Sequence, residues 1–461
     1  MTLVTRALVL LCTVGVSPLA LQGCGPEGSA SSIDRTTGTG GATGGGTNGG
    51  TPTPTVLTLN VPIDEADEGA GTIELRYSLI GDPTQRETLF VHFGGPGDSA
   101  VTSLPVFLAA IPASVSQTLT ENFALLALDE IGVGESEPIQ CSIELTDYSE
   151  SALVQAGEDL ATDCAQDYPL FDELGTVRFA RDIERLRGLL EIEELNFLTY
   201  SYGTQVALTY AAQFPERAGR LVLDSPIDPR DSLTERAVAQ STGFGRALDL
   251  FFDFCDFGVE CTFGNGNAEA AFDALYLRLS APARLDDAVS FEAAVTQALY
   301  FQPQWTALGS YLESVERTNT VPALSPQAEV GAFFGTTCTD FPISSIQEIR
   351  DADAELQLGE SVFRRTLYSS LFPCLNWGST PEQQNWETAL PTIDEVLLAG
   401  ASDDPVTPRE FSDALEPALS AAQGVRIDSA SHAVSLFGLN SCLDDAVLAY
   451  LLAGTPPPDC E

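Results

Sequence analysis

Residues 195–214, LNFLTYSYGTQVALTYAAQF, contain a short apolar run, a turn and an amphipathic segment. The first five residues have the composition of a buried strand, and the segment after the turn has the spacing of a helix. Gly203, Ala207 and Ala211 lie four residues apart, so their small side chains share one helix face and permit close approach to a sheet. The pattern therefore predicts a strand, a tight turn at Ser201 and a helix.

The alternation of strand and helix continues on both sides of this stretch. Apolar or alternating runs predict further strands, and a run with apolar residues on one face predicts a helix at 179–190. Strands that alternate with helices form a mostly parallel sheet with helices on both faces. The predicted fold class is therefore α/β. The further strands are expected at residues 56–59, 73–77, 88–91, 123–128, 220–223, 396–399 and 425–427.

The middle of the chain has a different pattern. Residues 231–385 show helical periodicity, an aromatic cluster at 251–254 and four cysteines, without the alternation of strand and helix. We interpret them as a mainly helical domain inserted as a cap into one α/β core. The two parts of that core are residues 55–230 and 386–461.

The N-terminal segment has the features of a targeting signal. In residues 1–23 an arginine precedes an apolar run at 7–16, which is too short for a stable membrane anchor. The letters LQGC, which end at Cys24, are similar to the processing site of bacterial lipoproteins, where the cysteine is acylated. An ordinary secretory signal is the alternative. Residues 24–54 are rich in Gly, Thr and Ser and predict a flexible linker, so we expect an exported protein, either a cell-envelope lipoprotein or a secreted or periplasmic one.

Eight cysteines follow Cys24, and an even number is typical of disulfide-bonded exported proteins. Pairing in sequence order is our hypothesis because each pair then encloses one local segment, although many other connectivities are possible. The absence of a CxxC pair and the presence of only two histidines argue against a metal site. The proposed pairs are Cys141–Cys164, Cys255–Cys261, Cys338–Cys374 and Cys442–Cys460.

The charge of the chain limits its partners. The net charge is −45, and all 21 basic residues are arginine. Such a surface repels phosphate, which argues against nucleic acid as a partner, and it repels anionic membranes, so a lipid at Cys24 is the membrane attachment we expect. Solubility is the simplest role for this charge. Adaptation to high salt, which screens the repulsion between carboxylates, is a second hypothesis. The sequence makes no prediction about the oligomeric state.

Three side chains that are distant in sequence predict a nucleophilic site. The turn exposes the hydroxyl of Ser201 and aims the helix N-terminus at it. His432, one of two histidines, and Asp404 each follow a late predicted strand, so both are expected at the same edge of the sheet as Ser201. A serine nucleophile, a histidine base and an acid that orients the base are the groups that acyl transfer needs. Asp403 is the alternative to Asp404.

A glycine-rich loop follows the strand predicted at 88–91. Glycines allow backbone N–H groups to approach a carbonyl oxygen closely, as an oxyanion hole requires. We expect one donor from Tyr202 and a second from Gly94 or Gly95. We expect His92 to shape this loop rather than to act as a base.

These residues together resemble the tripeptidyl-aminopeptidase and proline-iminopeptidase group of α/β-hydrolases, in which the nucleophile, acid and base occur in the same order along the chain. The resemblance covers roughly residues 55–460. It rests on FGGPG (93–97), DEIGVGES (129–136), NFLTYSYGT (196–204), YAAQFPERAGRLVLDSPIDP (210–229), GASDDPVTP (400–408) and SHAVS (431–435).

The resemblance implies a serine exopeptidase with a helical cap over the site and no metal or organic cofactor. Ser201 is then the nucleophile, Asp404 the acid and His432 the base, and the substrate is a peptide. The segment 338–340 looks like a cap element of the group, in which the carboxylate of Asp340 holds the free α-amine of the substrate. A solvated surface acid is the simpler interpretation of Asp340.

The chain departs from the pattern of the group at several positions, which leaves the substrate open. Ile131 stands where Arg is common, Thr199 replaces the first glycine of the turn, and Asp98, Ala100 and Ser225 stand where Gly is frequent. An esterase or lipase-like hydrolase acting on small esters uses the same triad and is the first alternative. A non-catalytic surface protein that keeps only the fold is the second.

Overall fold

The computed structural model describes residues 53–143, 147–322, 330–358, 362–378, 384–458 and 460. The predicted signal peptide, the lipidation site at Cys24 and nearly all of the linker lie outside the described residues.

An eight-stranded sheet forms the centre of the fold. Its spatial order is β1-β2-β4-β3-β5-β6-β7-β8, in which β1 and β2, and β2 and β4, are antiparallel and all other neighbours are parallel. The mostly parallel α/β sheet expected from the sequence is therefore present. The strands are β1 (Thr55–Pro62), β2 (Thr72–Ile80), β3 (Glu87–His92), β4 (Phe123–Leu128), β5 (Leu195–Tyr200), β6 (Ala218–Asp224), β7 (Val396–Ala401) and β8 (Ala422–Ile427).

Helices cover both faces of the sheet and bury its central strands. Every residue of β4, β5 and β7 is buried, as the near-continuous apolar sequences of strands covered on both faces require. The helices that precede β6 in the chain are α1 (Ala100–Ala110), α2 (Ala113–Asn122), α3 (Glu150–Asp167), α4 (Thr176–Leu189) and α5 (Tyr202–Gln213).

The region between β6 and β7 is helical, as the sequence predicts. Its elements are α6 (Leu233–Phe257), α7 (Ala268–Leu279), α8 (Leu285–Leu299), α9 (Trp305–Thr318), α10 (Gly331–Asp340), α11 (Ile346–Leu358), α12 (Arg364–Leu371) and α13 (Trp386–Ala389). Two helices follow β7, namely α14 (Arg409–Leu415) and α15 (Ser441–Ala453). In the described part of the chain, no helix combines the length and the apolar character needed to cross a membrane.

Helix α3 precedes α4 in the chain but packs against the helices inserted between β6 and β7. The Gly157 backbone of α3 lies so close to the carbonyl oxygen of Phe372 that a Cβ would approach this oxygen to 2.5 Å. Helix α3 therefore belongs to the layer that covers the carboxyl edge of the sheet, which its position in the sequence does not reveal.

The eight cysteines after Cys24 form four disulfides, each within one region of the fold. The pairs are those expected from pairing in sequence order, Cys141–Cys164, Cys255–Cys261, Cys338–Cys374 and Cys442–Cys460.

Candidate active site

Ser201 occupies a strained turn between β5 and α5. Its φ of 54° and ψ of −127° are unusual for a residue with a side chain. Two hydrogen bonds hold the turn, because the Ser201 N–H donates to the carbonyl oxygen of Asp224 at 3.0 Å and the Thr204 N–H donates to the Ser201 carbonyl at 2.9 Å. The turn presents the hydroxyl at the N-terminus of α5, as the sequence predicts.

Asp404 follows β7 and His432 follows β8, and the two side chains are hydrogen-bonded to each other. The Nδ1 of His432 lies 2.9 Å from Oδ2 and 3.1 Å from Oδ1 of Asp404, and both residues are buried. Asp404 also accepts from the N–H groups of Val406 and Thr407 at 2.8 and 2.9 Å and from the Thr407 hydroxyl at 3.0 Å. A carboxylate with these donors places the imidazole proton on Nδ1 and leaves Nε2 as an acceptor.

Asp403, the alternative acid, has other partners. Its carboxylate accepts from the Ser402 hydroxyl at 2.7 Å, and its N–H donates to the Ser429 carbonyl at 3.1 Å. The imidazole of His432 therefore contacts Asp404 and not its neighbour.

The hydroxyl of Ser201 and the ring of His432 do not form a direct hydrogen bond in the structure. Among the hydrogen bonds of the described residues, those of the imidazole run to Asp404 and Thr407. Catalytic hydrogen bonds between a nucleophile and its base are often long in a ligand-free site and shorten when the substrate is bound.

Asp224 and Ser225, at the end of β6, connect the turn of Ser201 to the loop of His432. The Asp224 Oδ2 accepts from both the N–H and the hydroxyl of Ser435 at 2.6 Å, and the Ser225 Oγ accepts from the Ala433 N–H at 2.9 Å. We call this set of contacts the β6 clasp. Sequence analysis missed the clasp, although Ser225 and Ser435 belong to two of the motifs, YAAQFPERAGRLVLDSPIDP and SHAVS, that carry the resemblance.

The glycine loop after β3 packs directly on the turn of Ser201. A Cβ on Gly94 would lie 2.9 Å from the Cβ of Ser201 and 3.4 Å from the Tyr202 nitrogen. The Gly94 N–H donates to the Nδ1 of His92 at 3.3 Å, and the buried His92 Nε2 faces Glu130 Oε1 at 3.5 Å. His92 is thus in contact with the loop, and the engagement of the Gly94 N–H favours Gly95 as the second oxyanion donor.

A sequence model of the alpha/beta hydrolase fold matches residues 87–439, which is most of the chain. The protein belongs to this family of hydrolases. The match includes all the residues of the site described above.

Curated relatives of this hydrolase carry different activities in their names. Serine protease Hip1 of Mycobacterium tuberculosis (strain ATCC 25618 / H37Rv) is 26% identical, with 87% of this chain and 85% of that protein covered. Carboxylesterase B of the same strain is 28% identical over 87% and 84% of the two chains. Tripeptidyl aminopeptidase of Streptomyces coelicolor is 26% identical over 86% and 80%. The family and the hydrolase class are therefore clear, whereas protease and esterase names occur side by side.

A cavity opens beside Ser201 between the sheet and the inserted helices of the hydrolase. Its walls include the glycine loop, the segment after β7 and residues of α6, α10 and α12. Among the lining residues are Gly95, Tyr202, Arg236, Tyr300, Asp340 and Thr407. A substrate bound in this cavity would touch Ser201 on one side and the inserted helices on the other.

Asp340, at the end of α10, lies between this cavity and a second, more open one. Its carboxylate accepts from the Thr176 N–H at 3.0 Å, from the Thr176 hydroxyl and from the Gln205 side-chain amide at 3.2 Å. Although part of its surface faces the cavities, Asp340 lies deep in the hydrolase, and this burial raises its pKa to about 7. The simpler interpretation of Asp340 as a solvated surface acid is therefore wrong, and sequence analysis missed its partner Gln205.

Proposed function

We propose that this protein is a serine hydrolase in which Ser201 is the nucleophile, His432 the base and Asp404 the acid that orients the base. The observation that carries the proposal is the buried hydrogen bond between Asp404 and the Nδ1 of His432, at the same sheet edge as the strained turn of Ser201. A buried pair of this kind keeps Nε2 free to accept a proton.

The proposed reaction is acyl transfer through a covalent intermediate. The Ser201 hydroxyl attacks the carbonyl carbon while His432 Nε2 accepts its proton, and the N–H groups of Tyr202 and Gly95 stabilise the negative oxygen. When the C–N or C–O bond breaks, His432 donates the proton to the leaving group. Water then attacks the acyl-enzyme, again with His432 as the base, and releases the acid and free Ser201.

We further propose that the substrate is a peptide that is cleaved from its N-terminus. Asp340 supports this proposal, because a carboxylate on the cavity wall can hold a free α-amine while the scissile carbonyl lies at Ser201. The similarity to a tripeptidyl aminopeptidase and to a serine protease agrees with it. A charge pair of this kind is strengthened by the low dielectric of a closed cavity.

An esterase is the second candidate, and the similarity to Carboxylesterase B favours it. Esters and amides both react through a tetrahedral intermediate, so the catalytic residues around Ser201 suit either substrate. The two candidates differ in the requirement for a free amine, which an aminopeptidase needs and an esterase does not.

We also propose that the protein is exported, either as a lipoprotein acylated at Cys24 or as a secreted or periplasmic protein. The four disulfides support an oxidising location. Metabolic labelling with a clickable fatty acid tests the anchor. Label that is lost in a Cys24→Ala variant would support acylation, and a wild-type protein without label would contradict it.

A fluorophosphonate probe tests the proposed nucleophile. Wild-type protein is expected to be labelled at Ser201, whereas Ser201→Ala is not labelled and has the same melting temperature. Ser310→Ala, which removes an exposed hydroxyl from α9, is the matched control and keeps both label and activity. A wild-type protein that resists the probe would contradict the proposal and favour a non-catalytic surface protein.

A substrate profile then separates peptidase from esterase. Tripeptidyl amides with a free amine, the same amides with a blocked amine, and p-nitrophenyl esters are compared by kcat/KM. We expect turnover of the free-amine amides and loss of it on blocking. Turnover of esters alone would favour the esterase.

A further inference from the structure

Arg236 differs from the other arginines of the described chain in its surroundings. It lies in the first turn of α6, is 8% exposed, and lines the cavity beside Ser201. Most other arginines of the described residues form ion pairs with carboxylates, and those that do not are exposed. Examples are the pairs Arg178–Asp182, Arg230–Asp228, Arg284–Asp287, Arg350–Glu150 and Arg364–Asp353. Within the described residues, no carboxylate oxygen lies within 4.0 Å of the Arg236 guanidinium.

The contacts that Arg236 does make are neutral. Its Nη2 donates to the Asp228 carbonyl oxygen at 2.9 Å and reaches the Gln205 Oε1 at 3.5 Å, and its guanidinium stacks 3.8 Å above the Phe341 ring. The buried Nε has no hydrogen-bond partner in the described part of the chain. Burial lowers the pKa of Arg236 to about 10, so the group remains a cation at neutral pH.

Asp340, which also lines the cavity, does not form an ion pair with Arg236. The side chain of Gln205 lies between them, because its Oε1 faces Arg236 and its Nε2 donates to Asp340. Asp228 is paired with Arg230, and Asp231 and Asp340 act on Arg236 only through longer-range attraction. In a chain of 66 acids and 21 arginines, a buried cation that no carboxylate of the described residues contacts is unusual.

A buried charge that no opposite charge contacts is costly, and a ligand of opposite charge reduces that cost when it binds. A guanidinium with unused donors matches a carboxylate, which it binds through parallel N–H···O hydrogen bonds. We propose that Arg236 binds a carboxylate of the substrate in the cavity beside Ser201. The inference deepens the proposed function, since it concerns the substrate of the same site.

Two kinds of peptide supply such a carboxylate. One has an acidic side chain near the scissile bond, and the other is a short peptide whose C-terminal carboxylate reaches Arg236. Either source uses the same contact with the guanidinium. A matched pair of ligands for each source distinguishes them, because the exchange of the carboxylate for an amide changes the charge and hardly the shape.

The experiment measures binding separately from turnover. Calorimetric titrations of the Ser201→Ala variant use tetrapeptide amides with Glu or Gln in the same position, and tripeptides with a C-terminal carboxylate or carboxamide. For whichever of the two carboxylates Arg236 binds, we expect the peptide with the carboxylate to bind about 10- to 100-fold more tightly than the matched amide. In an Arg236→Gln background this preference disappears, and Arg236→Lys restores part of it because it keeps the charge without the planar fork.

Arg350→Gln is the matched control, because it removes the same charge from an exposed residue of α11 that does not line the cavity. It is expected to keep the full preference. The ligand pairs need no variant of Arg236, so the proposal remains testable if that substitution disturbs folding. Equal binding of both members of both pairs would overturn the inference.

The fluorophosphonate label distinguishes this failure from failure of the proposed function. A protein that labels at Ser201 but ignores the carboxylate contradicts the role of Arg236 alone. A protein that binds the carboxylate through Arg236 but does not label contradicts the proposed nucleophile alone.

Discussion

The backbone N–H of Ser201 donates a 3.0 Å hydrogen bond to the carbonyl oxygen of Asp224. The carboxylate of the same Asp224 accepts two hydrogen bonds from Ser435, three residues after His432. One residue at the end of β6 therefore holds both the turn of the proposed nucleophile and the loop of the proposed base. Because Asp224 is fully buried, the distance between these two segments depends on a contact that solvent does not reach.

Ser435→Ala is expected to reduce kcat by about tenfold with little change in KM, since loss of one hydrogen bond to a buried carboxylate costs about 1–3 kcal/mol. The substrate cavity is untouched, but the loop of His432 is less firmly held. Steady-state kinetics on a p-nitrophenyl ester measure both constants. Ser369→Ala removes a buried hydroxyl from α12 and serves as control. Equal effects of the two variants on kcat would refute a positioning role for the β6 clasp.

Asp404→Asn is expected to lower kcat by roughly 10³- to 10⁴-fold with the fold intact, because an amide no longer holds the imidazole in the tautomer that accepts a proton at Nε2. Asp403→Asn is the matched control from the adjacent position, and its kcat should stay within about twofold of wild type. Rates of ester hydrolysis for the two variants check the assignment. A reversed order of the two effects would exchange the roles of these acids.

Gly94→Ala is expected to lower kcat by about 10²- to 10³-fold, because displacement of the loop moves the N–H of the neighbouring Gly95, the proposed oxyanion donor, out of place. The φ of Gly94 is 103°, and its Cβ would lie 2.9 Å from the Cβ of Ser201 and 3.0 Å from the Tyr200 carbonyl, so the loop must move. Gly188→Ala in α4 meets open space and should stabilise the protein by about 0.5–1 kcal/mol. Full activity of Gly94→Ala would show that this loop has no part in the reaction.

Asp340→Asn is expected to change how stability depends on pH. A carboxyl whose pKa rises from 3.8 to about 7 on folding keeps a proton that the unfolded chain releases, so its contribution to stability falls as pH rises from about 4 to 7. The variant lacks this loss, and its melting temperature should increase relative to wild type between pH 5 and pH 8. Melting curves across this range, with the exposed Asp351→Asn as control, measure the effect. Parallel curves for wild type and Asp340→Asn would contradict it.

Replacement of Cys338 and Cys374 by serine is expected to lower the free energy of unfolding by about 3–4 kcal/mol, the loop-closure value for a separation of 36 residues. The separation of 6 between Cys255 and Cys261 predicts a smaller loss of about 2 kcal/mol. Chemical denaturation compares the two double variants. The first should also raise KM, because Cys338 lies two residues before Asp340. An unchanged KM would mean that the position of Asp340 does not depend on this disulfide.

Much of the sheet could be predicted from sequence because strand patterns are local. The run at 123–128 is β4 itself, and the other predicted strands differ from the observed ones only at their ends. The packing of α3 against Phe372 could not be predicted, since α3 has the pattern of any amphipathic helix. Which surface covers such a helix depends on the space that the remaining chain leaves free.

The active site, like the fold, has some features that the sequence predicts and others that it does not. The turn at Ser201 is visible in the amino-acid order because the strand, the small residues of the helix and the serine are neighbours in the chain. Asp404 and His432 could be inferred from their places after late strands, since the carboxyl ends of parallel strands meet at one edge. These features follow from local pattern and from the topology that the pattern implies.

The contact of Asp224 with Ser435 spans 211 residues, and that of Gln205 with Asp340 spans 135. No local pattern distinguishes Asp224 among 66 acidic residues, and the resemblance at 338–340 left the surroundings of Asp340 open, because the role of a carboxylate depends on the donors and the solvent around it. Only packing of the chain buries Asp224, withdraws much of Asp340 from solvent and leaves the Arg236 guanidinium without a carboxylate in contact. The amino-acid order therefore specifies which chemical groups are present and which helices and strands carry them. Folding decides which few of these groups act on the cavity through their charge and hydrogen bonds. The reason is that burial removes the water that would otherwise solvate all such groups alike.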